Sequence, residues 1–493
     1  MEAPHKALPL AGEIARVAWP VALNWIVVSL TSLLLLLLLS SRGDELGMAT
    51  LGLATVLCNV TGRTLLWGLG SALDTYASQA WGAQEYLSIG VYAQRSLMIL
   101  TLMVNFPLAV LWLKADVILR TLGQPEDVST LTALYTSIRI PGQLAAGVVC
   151  VLQKIMVAIE ETNALLLINL LVSFTTFALL LGLVAGLGLG VEGAAIATSV
   201  SDIMSAVFLV GVAAMNANCR KCWGGWTMSC WRGWPDYLRL ACPSLLMVAC
   251  EEWSWDIVTF LAGLCSTATG GVRVPQRRLL AVQGWLSSIM NTLYSISTAI
   301  GRGTGTVVGN SLGAVKPIRA RRAALVGVGL SGLMMSCICA GLPSLCAPTA
   351  ESYPPRNYTP LLMDVFNLRW ADGLQMALTG AITGAGAQAR TNPVLIVSYW
   401  ILGLPLGSLW AFVHPKLGLL GIWLGMILAV YLHLLSYPWL PFAISWQAAA
   451  EEAQRRLGID EHCVNTSEPP APLQCSRTQT EASISTQQTQ PSI

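Results

Sequence analysis

Four carboxylates stand in stretches that otherwise consist of apolar residues. Glu251, Glu252 and Asp256 lie in Met247-Val-Ala-Cys-Glu-Glu-Trp-Ser-Trp-Asp-Ile-Val-Thr-Phe260, and Asp372 lies in Trp370-Ala-Asp-Gly-Leu-Gln375. An acid at the centre of a membrane helix costs about 2.5 kcal/mol or more, so it needs a partner, a proton or a water-filled cavity. Burial disfavours the charged form of a carboxylate, and a second acid nearby disfavours it further. Such a site holds a proton or a cation but not both, which is the chemistry of exchange. At the helical repeat, Glu252 and Asp256 share a face, while Glu251 is turned by about 100° from Glu252. All three therefore cannot face one point. Trp253, Trp255 and Trp285 stand among the acids, and a desolvated indole face attracts an organic cation by about 1–2 kcal/mol. Arg302 and Lys154 are the buried bases that could neutralise these acids as structural pairs; the acids outnumber them.

The elements that carry these residues follow from composition. Of the 493 residues, 54% are hydrophobic and 11% charged, against roughly 25% charged in a soluble domain. Mean hydropathy is +0.62. Too little polar surface remains to cover a water-soluble globule, so lipid must cover much of it. The net charge of +2 carries no nucleic-acid footprint. There is no Gly-x-Gly-x-x-Gly after a strand, no Walker loop and no metal-ligand cluster, so ATP hydrolysis, cofactor and metal are not expected. The four His (His5, His414, His433, His462) are terminal, in a loop or isolated, which makes a membrane-embedded enzyme the poorest reading. Cys219 and Cys222 form one C-x-x-C without a second pair at metal spacing.

A bilayer core of about 30 Å takes about 20 apolar residues per helix. On that template the chain divides into twelve segments: 14–41, 49–72, 90–113, 131–158, 164–187, 191–214, 238–265, 281–308, 322–346, 361–386, 393–413 and 417–446. The fold class is an all-α polytopic membrane protein of about twelve helices. The expected organisation is an N-terminus (1–13), a six-helix bundle (14–214), a linker (215–237), a second six-helix bundle (238–446) and a disordered Ser/Thr/Gln/Pro-rich tail (447–493). With both termini in the cytoplasm, inside loops hold fourteen Lys and Arg against eight outside, the sense of the positive-inside rule. Asn357-Tyr-Thr359 then falls outside as a glycosylation sequon, whereas Asn59-Val-Thr61 is buried in a helix.

The halves repeat. Ser78-Gln-Ala-Trp-Gly-Ala83 follows the second segment and Gly309-Asn-Ser-Leu-Gly-Ala314 follows the eighth; Gly190-Val-Glu-Gly193 and Gly418-Leu-Leu-Gly421 each precede the last segment of a half. Gly82 and Gly193 are 111 positions apart, Gly313 and Gly421 108. Internal repeats of this kind build transporters with a site near the midplane.

At these residues the sequence resembles the multidrug and toxin extrusion (MATE) family, particularly its vertebrate branch. The resemblance is carried by Asn59-Val-Thr-Gly62, Gly68-Leu-Gly-Ser-Ala-Leu-Asp-Thr75, Ser78-Gln-Ala-Trp-Gly82, Gln124-Pro-Glu-Asp-Val-Ser129, Trp223-Gly-Gly-Trp226, Cys242-Pro-Ser-Leu-Leu-Met247, Val308-Gly-Asn-Ser-Leu-Gly-Ala314 and Gly403-Leu-Pro-Leu-Gly407. It runs in order from Pro20 to about Gly425. It implies two six-helix bundles around a cavity that opens alternately to either side. Glu251 and Asp256 match the paired acids of the seventh helix, Asp372 the acid of the tenth, and Asn59 the Asn of the second-helix motif. Glu252 stands where the family usually has Trp. Two of the three matched acids are Asp rather than Glu, Ser288 and Ser297 replace a Glu and a Pro of the eighth helix, and the loop Ser266 to Leu280 is longer and more basic than family loops.

The resemblance implies a monomeric plasma-membrane antiporter, apical where it serves an epithelium, that exports small organic cations in exchange for protons. Glu251, Asp256 and Asp372 would bind proton or cation, with Glu252, Asn59, Trp253, Trp255 and Gln375 as further contributors. Sodium coupling is the alternative ion. A flippase for lipid or glycolipid is the alternative function; it calls for basic residues in the cavity, and Arg302, Lys154 and Arg63 qualify.

Overall fold

The structure is a computed structural model. It describes residues 7–41, 44–264, 268–269, 272–273, 276–346, 359–414, 417–436 and 445–458, and the side chains of 7, 32–33, 36–37, 39–41, 45, 263–264, 268–269, 272–273, 276–292, 341–346, 359–367 and 369 are outside that description. The described residues form twelve long helical rods. The first six are Ala7–Ser41, Leu46–Gly82, Tyr86–Leu113, Glu126–Ala158, Thr162–Gly186 and Gly190–Met215. The second six are Trp234–Leu264, Gln276–Gly313, Pro317–Cys346, Thr359–Ala385, Asn392–Val413 and Leu419–Ser436. Nine described helices are long and apolar enough to cross a membrane. The seventh, eighth and tenth rods are not among these nine, which count the described residues only; the seventh and tenth carry the acids.

Each six-helix set forms a bundle. One apolar core runs through both bundles at one end of the molecule, joining Ile14, Leu73, Ala77, Val308, Leu312 and Ala385. Beyond that end the cores separate. Leu35, Ala54, Leu180 and Ala194 belong to the first bundle, and Val258, Ala262, Tyr399 and Trp423 to the second. Two bundles sharing a core at one end and holding separate cores at the other enclose a cleft between them. We call the shared end the closed end.

The closed end explains the sequence repeat. The small-residue motifs were expected to follow the second and eighth segments, but both lie within helices, which run to Gly82 and Gly313. There they cross each other. A Cβ on Gly82 would stand 2.0 Å from the carbonyl oxygen of Asn310, and one on Gly313 1.9 Å from that of Gln79. Gln79 and Asn310 occupy the same place in their motifs, so the two contacts are related by the pseudo-two-fold axis that relates the bundles. Gly is required because only a bare Cα lets backbones approach so closely. Gly380 and Gly384 serve the same end against Gly301 and Gly305 of the eighth helix. Gly182 has open space around it and lies in a π-helical turn, Leu181–Gly186.

Several expected boundaries move. The eighth helix begins at Gln276 rather than 281, and a two-residue antiparallel ribbon pairs Ala268–Thr269 with Val272–Arg273 before it. The described part of the twelfth helix, Leu419–Ser436, lies within the expected 417–446, and residues 437–444 are outside the description. The tail expected to be disordered from 447 begins instead as a helix, Trp446–Leu457. Ser445 caps its start by accepting from the amide of Ala448, and Gly458 ends it in the left-handed conformation. Ala450 and Ala453 are fully buried, so this helix has an apolar face with a place to go. Its docking joins both bundles. Gln454 donates to the Gly313 carbonyl at 2.9 Å, Arg456 to that of Gly386 at 3.2 Å, and Tyr92 to the Arg456 carbonyl at 3.0 Å.

The linker holds a short helix, Ala217–Cys222, capped by the Asn216 side chain. Burial pushes the Cys219 thiol up to about 11 and the Cys222 thiol up to about 12, so both stay protonated at neutral pH and are poor nucleophiles.

Gly313→Ala should cost about 1–3 kcal/mol through overpacking against the Gln79 carbonyl, whereas Gly211→Ala, which meets open space, should be neutral. Thermal unfolding of the two variants side by side measures the difference.

Candidate functional site

The acids of the seventh helix divide between two places, as their angular spacing requires. Glu251 is buried, 7% exposed, and so is Asp372 of the tenth helix, 1% exposed. Tyr294 of the eighth helix stands in the combined field of Glu251, Glu252 and Asp372. Gln375, one turn beyond Asp372, donates to the Tyr399 hydroxyl at 3.3 Å. Tyr399 meets His433 edge-on, with ring centroids 5.8 Å apart. The interior of the second bundle is thus a polar chamber of Glu251, Asp372, Tyr294, Gln375, Tyr399 and His433 inside an apolar shell.

Glu252 and Asp256 are half-buried. Asp256 feels the charge of Glu252 on its own helix and of Arg63 on the second helix, so it faces the other bundle across the cleft. Asn59 opens the π-helical turn Asn59–Arg63, which brings it into the first bundle with Arg63. A π-turn wedged into an α-helix commonly marks a functional position. Trp255 packs against Trp423 inside the second bundle, centroids 5.8 Å apart. The buried Nε1 of Trp253 has no hydrogen-bond partner among the described residues. Asn357, Trp285 and Ser288 lie outside the described residues. Ser297, where the resemblance implies a Pro, is buried and donates to the Met335 sulfur at 3.5 Å.

The first bundle and the interface hold groups that sequence reasoning missed. Lys154 does not reach the acids of the second bundle. It forms an ion pair with Asp74 of the second helix and stands 5.4 Å from the centroid of the Trp67 ring. Asp74 lies beyond residue 72, where the long apolar run stops, in a helix that continues through a more polar stretch to Gly82. Arg139 of the fourth helix pairs with Asp202 of the sixth at 2.6 Å. That pair was legible, since Asp202 is an acid in an apolar stretch like the others. Arg302 likewise pairs with no acid among the described residues. Its guanidinium carbon stands 5.6 Å from the centroid of Trp25 and 5.1 Å from that of Trp67, two rings of the first bundle. Arg63 lies 5.3 Å from the Trp25 centroid. The signal for this site was the run Tyr294, Thr298, Arg302, which recurs every four residues along one face of the eighth helix.

A two-bundle membrane protein with charged groups facing a cleft and buried acids behind one wall has the architecture of a transporter. Comparison with known proteins agrees. The MatE family profile matches residues 20–184. Multidrug and toxin extrusion protein 2 of Oryctolagus cuniculus is 31% identical over 428 residues, 85% of this chain and 68% of that protein. Protein DETOXIFICATION 17 of Arabidopsis thaliana is 28% identical over 84% of this chain and 86% of that protein. The crystal structure of a eukaryotic MATE transporter superposes with a TM-score of 0.82 at 24% identity, covering 92% of this chain and 99% of that one. The chain belongs to the multidrug and toxin extrusion family and is a multi-pass membrane transporter, not an enzyme.

Removing one member of the Asp74–Lys154 pair leaves a buried charge alone, so Asp74→Asn should destabilise by about 3 kcal/mol or more, while Asp74→Leu with Lys154→Met should recover most of the loss. Thermal unfolding in detergent checks both, and an Asp74→Asn protein as stable as the parent would show that the pair is solvated.

Proposed function

We propose that this transporter exports small organic cations in exchange for protons, acting as a monomer in the plasma membrane with both termini in the cytoplasm. In that orientation the closed end faces the cytoplasm and the cleft opens outward. The observation that carries the reading is the burial of Glu251 and Asp372 together beside Tyr294. A carboxylate at membrane depth needs a partner, a proton or a cavity, and loss of a proton restores the charge that an organic cation requires. One chamber thus serves proton and cation in turn. Asp256 and Glu252, on the cleft side of the same helix, offer the cation its first negative charge, and Trp253 an aromatic surface. Asn59 contributes from the opposite wall.

Coupling follows from mutual exclusion. From outside, a proton enters the cleft, neutralises the chamber and releases the cation. The neutral chamber lets the bundles rearrange about the Gly82/Gly313 crossing, and opening to the cytoplasm requires the Trp446–Leu457 helix to leave its place across both bundles. In the cytoplasm the proton departs and a cation takes its place. A ligand shifts such an equilibrium only by its differential affinity for the two states, and the acids supply that difference. Sodium coupling would require a compact cage of several oxygens, and the acids here are divided between two places.

Glu251→Gln should remove most proton-driven uptake of a labelled organic cation, measured in expressing cells under an outward proton gradient, with surface expression near that of the parent. At Asp256 and Asp372, Glu should preserve more transport than Asn. Uptake by Glu251→Gln at the parental rate would remove the acid chamber from the mechanism.

A further inference from the structure

Arg302 lies at the bundle interface, and the exchange mechanism does not use it. It projects from the eighth helix of the second bundle onto Trp25 and Trp67 of the first, 5.6 Å and 5.1 Å from their centroids, and the two rings lie 6.1 Å from each other. Arg63 stands 5.3 Å from the Trp25 ring. The third base, Lys154, spends its charge on Asp74. Among the described residues neither Arg302 nor Arg63 has a hydrogen bond or an ion pair. Asp74 acts on Arg302, and Asp256 on Arg63, only through the longer-range field.

The chemistry of a guanidinium on indole is specific. A π face stabilises the positive charge but carries no lone pair in the plane of the N–H groups. A guanidinium has five N–H donors in a planar fork that fits a carboxylate, sulfate or phosphate through two parallel bonds. Two rings hold Arg302 in place while supplying none of the oxygen acceptors its donors need. Arg63 across the Trp25 ring adds a second positive charge to the same wall.

We propose that Arg302, backed by Arg63 and held by Trp25 and Trp67, is an anion-recognition site in the cleft, and that the substrates it selects are zwitterionic organic molecules. Their anionic group, a carboxylate or a sulfonate, bonds to Arg302, and their cationic group takes the acids of the second bundle. This rests on the cation-exchange reading above for the cationic end only. Tyr294 and Arg302 are eight residues apart on one helix face, about 12 Å along the axis, so the site selects charge separation as well as charge. A substrate with a cation alone would have to approach a wall that already carries two positive groups, which gives the anionic group its value.

The experiment uses ω-trimethylammonio carboxylates with alkyl chains of graded length and the corresponding primary amides, which keep the ammonium and lose only the anion. Equilibrium binding of each labelled compound to the purified full-length protein is measured by scintillation proximity, without transport, so the result stands apart from proton coupling. At the best chain length the carboxylate should bind about tenfold more tightly than its amide, the gain of a charge-assisted two-bond contact. In Arg302→Gln that ratio should fall to about one, with Arg302→Lys, which keeps the charge and loses the fork, between. A ratio of one in the parent at every length overturns the proposal and needs no variant. A ratio unchanged in Arg302→Gln also overturns it and makes Arg302 a clamp between bundles. Loss of the ratio on adding phosphatidate to the micelles would assign the site to a lipid phosphate instead. Proton-gradient uptake of the amides by the same protein reconstituted into liposomes reports on the exchange reading separately.

Discussion

The cost of holding charge away from water is the constraint on which this molecule is organised. A polar group at membrane depth must find a partner or a cavity, and the chain meets that demand in three different ways. In the first bundle Asp74 with Lys154, and Asp202 with Arg139, form ion pairs between helices. At the interface Arg302 and Arg63 rest on indole rings. In the second bundle Glu251 and Asp372 share a chamber with Tyr294. Two ion pairs thus lie within the first bundle, and the acids to which exchange is proposed lie in the second.

The second requirement is that the bundles move without losing contact. The crossing of the second and eighth helices at Gly82 and Gly313 supplies a backbone-to-backbone contact on the pseudo-two-fold axis. A contact of this kind holds at a point and depends on few side chains, so the rods can rotate about it. The Trp446–Leu457 helix lies across the same end, bonded to Gly313, Gly386 and Tyr92. Closed-end packing and the acids at the far side of the cleft are linked through the seventh and eighth helices, which run the length of the second bundle.

Much of this was legible in the sequence because hydropathy and charge act on the same helices that the fold uses. Twelve rods, two repeats and the four acids follow from apolar run lengths, paired Gly motifs and the expense of Glu and Asp among Leu and Val. What escaped has physical reasons. Helix ends rich in Ala, Ser and Gly lose their hydropathy signal before they lose their helix, which hid Asp74 and turned two helix crossings into apparent loops. The Trp446–Leu457 helix is short and polar by composition, and only its docking alanines reveal it. His433 looked isolated because its partner Tyr399 belongs to the neighbouring helix. The partners of Lys154 and Arg302 depended on which bundle each faces, and one-dimensional spacing does not contain that. Asn357 lies outside the described residues.

The proposed exchange depends on one chamber that accepts either a proton or a cation. Its most direct test is uptake of a labelled organic cation at fixed membrane potential, with external pH and external sodium varied independently. Uptake should rise as external pH is raised, because fewer external protons compete for the acids, and should ignore sodium. Rates that follow sodium and are indifferent to pH would contradict the proton mechanism.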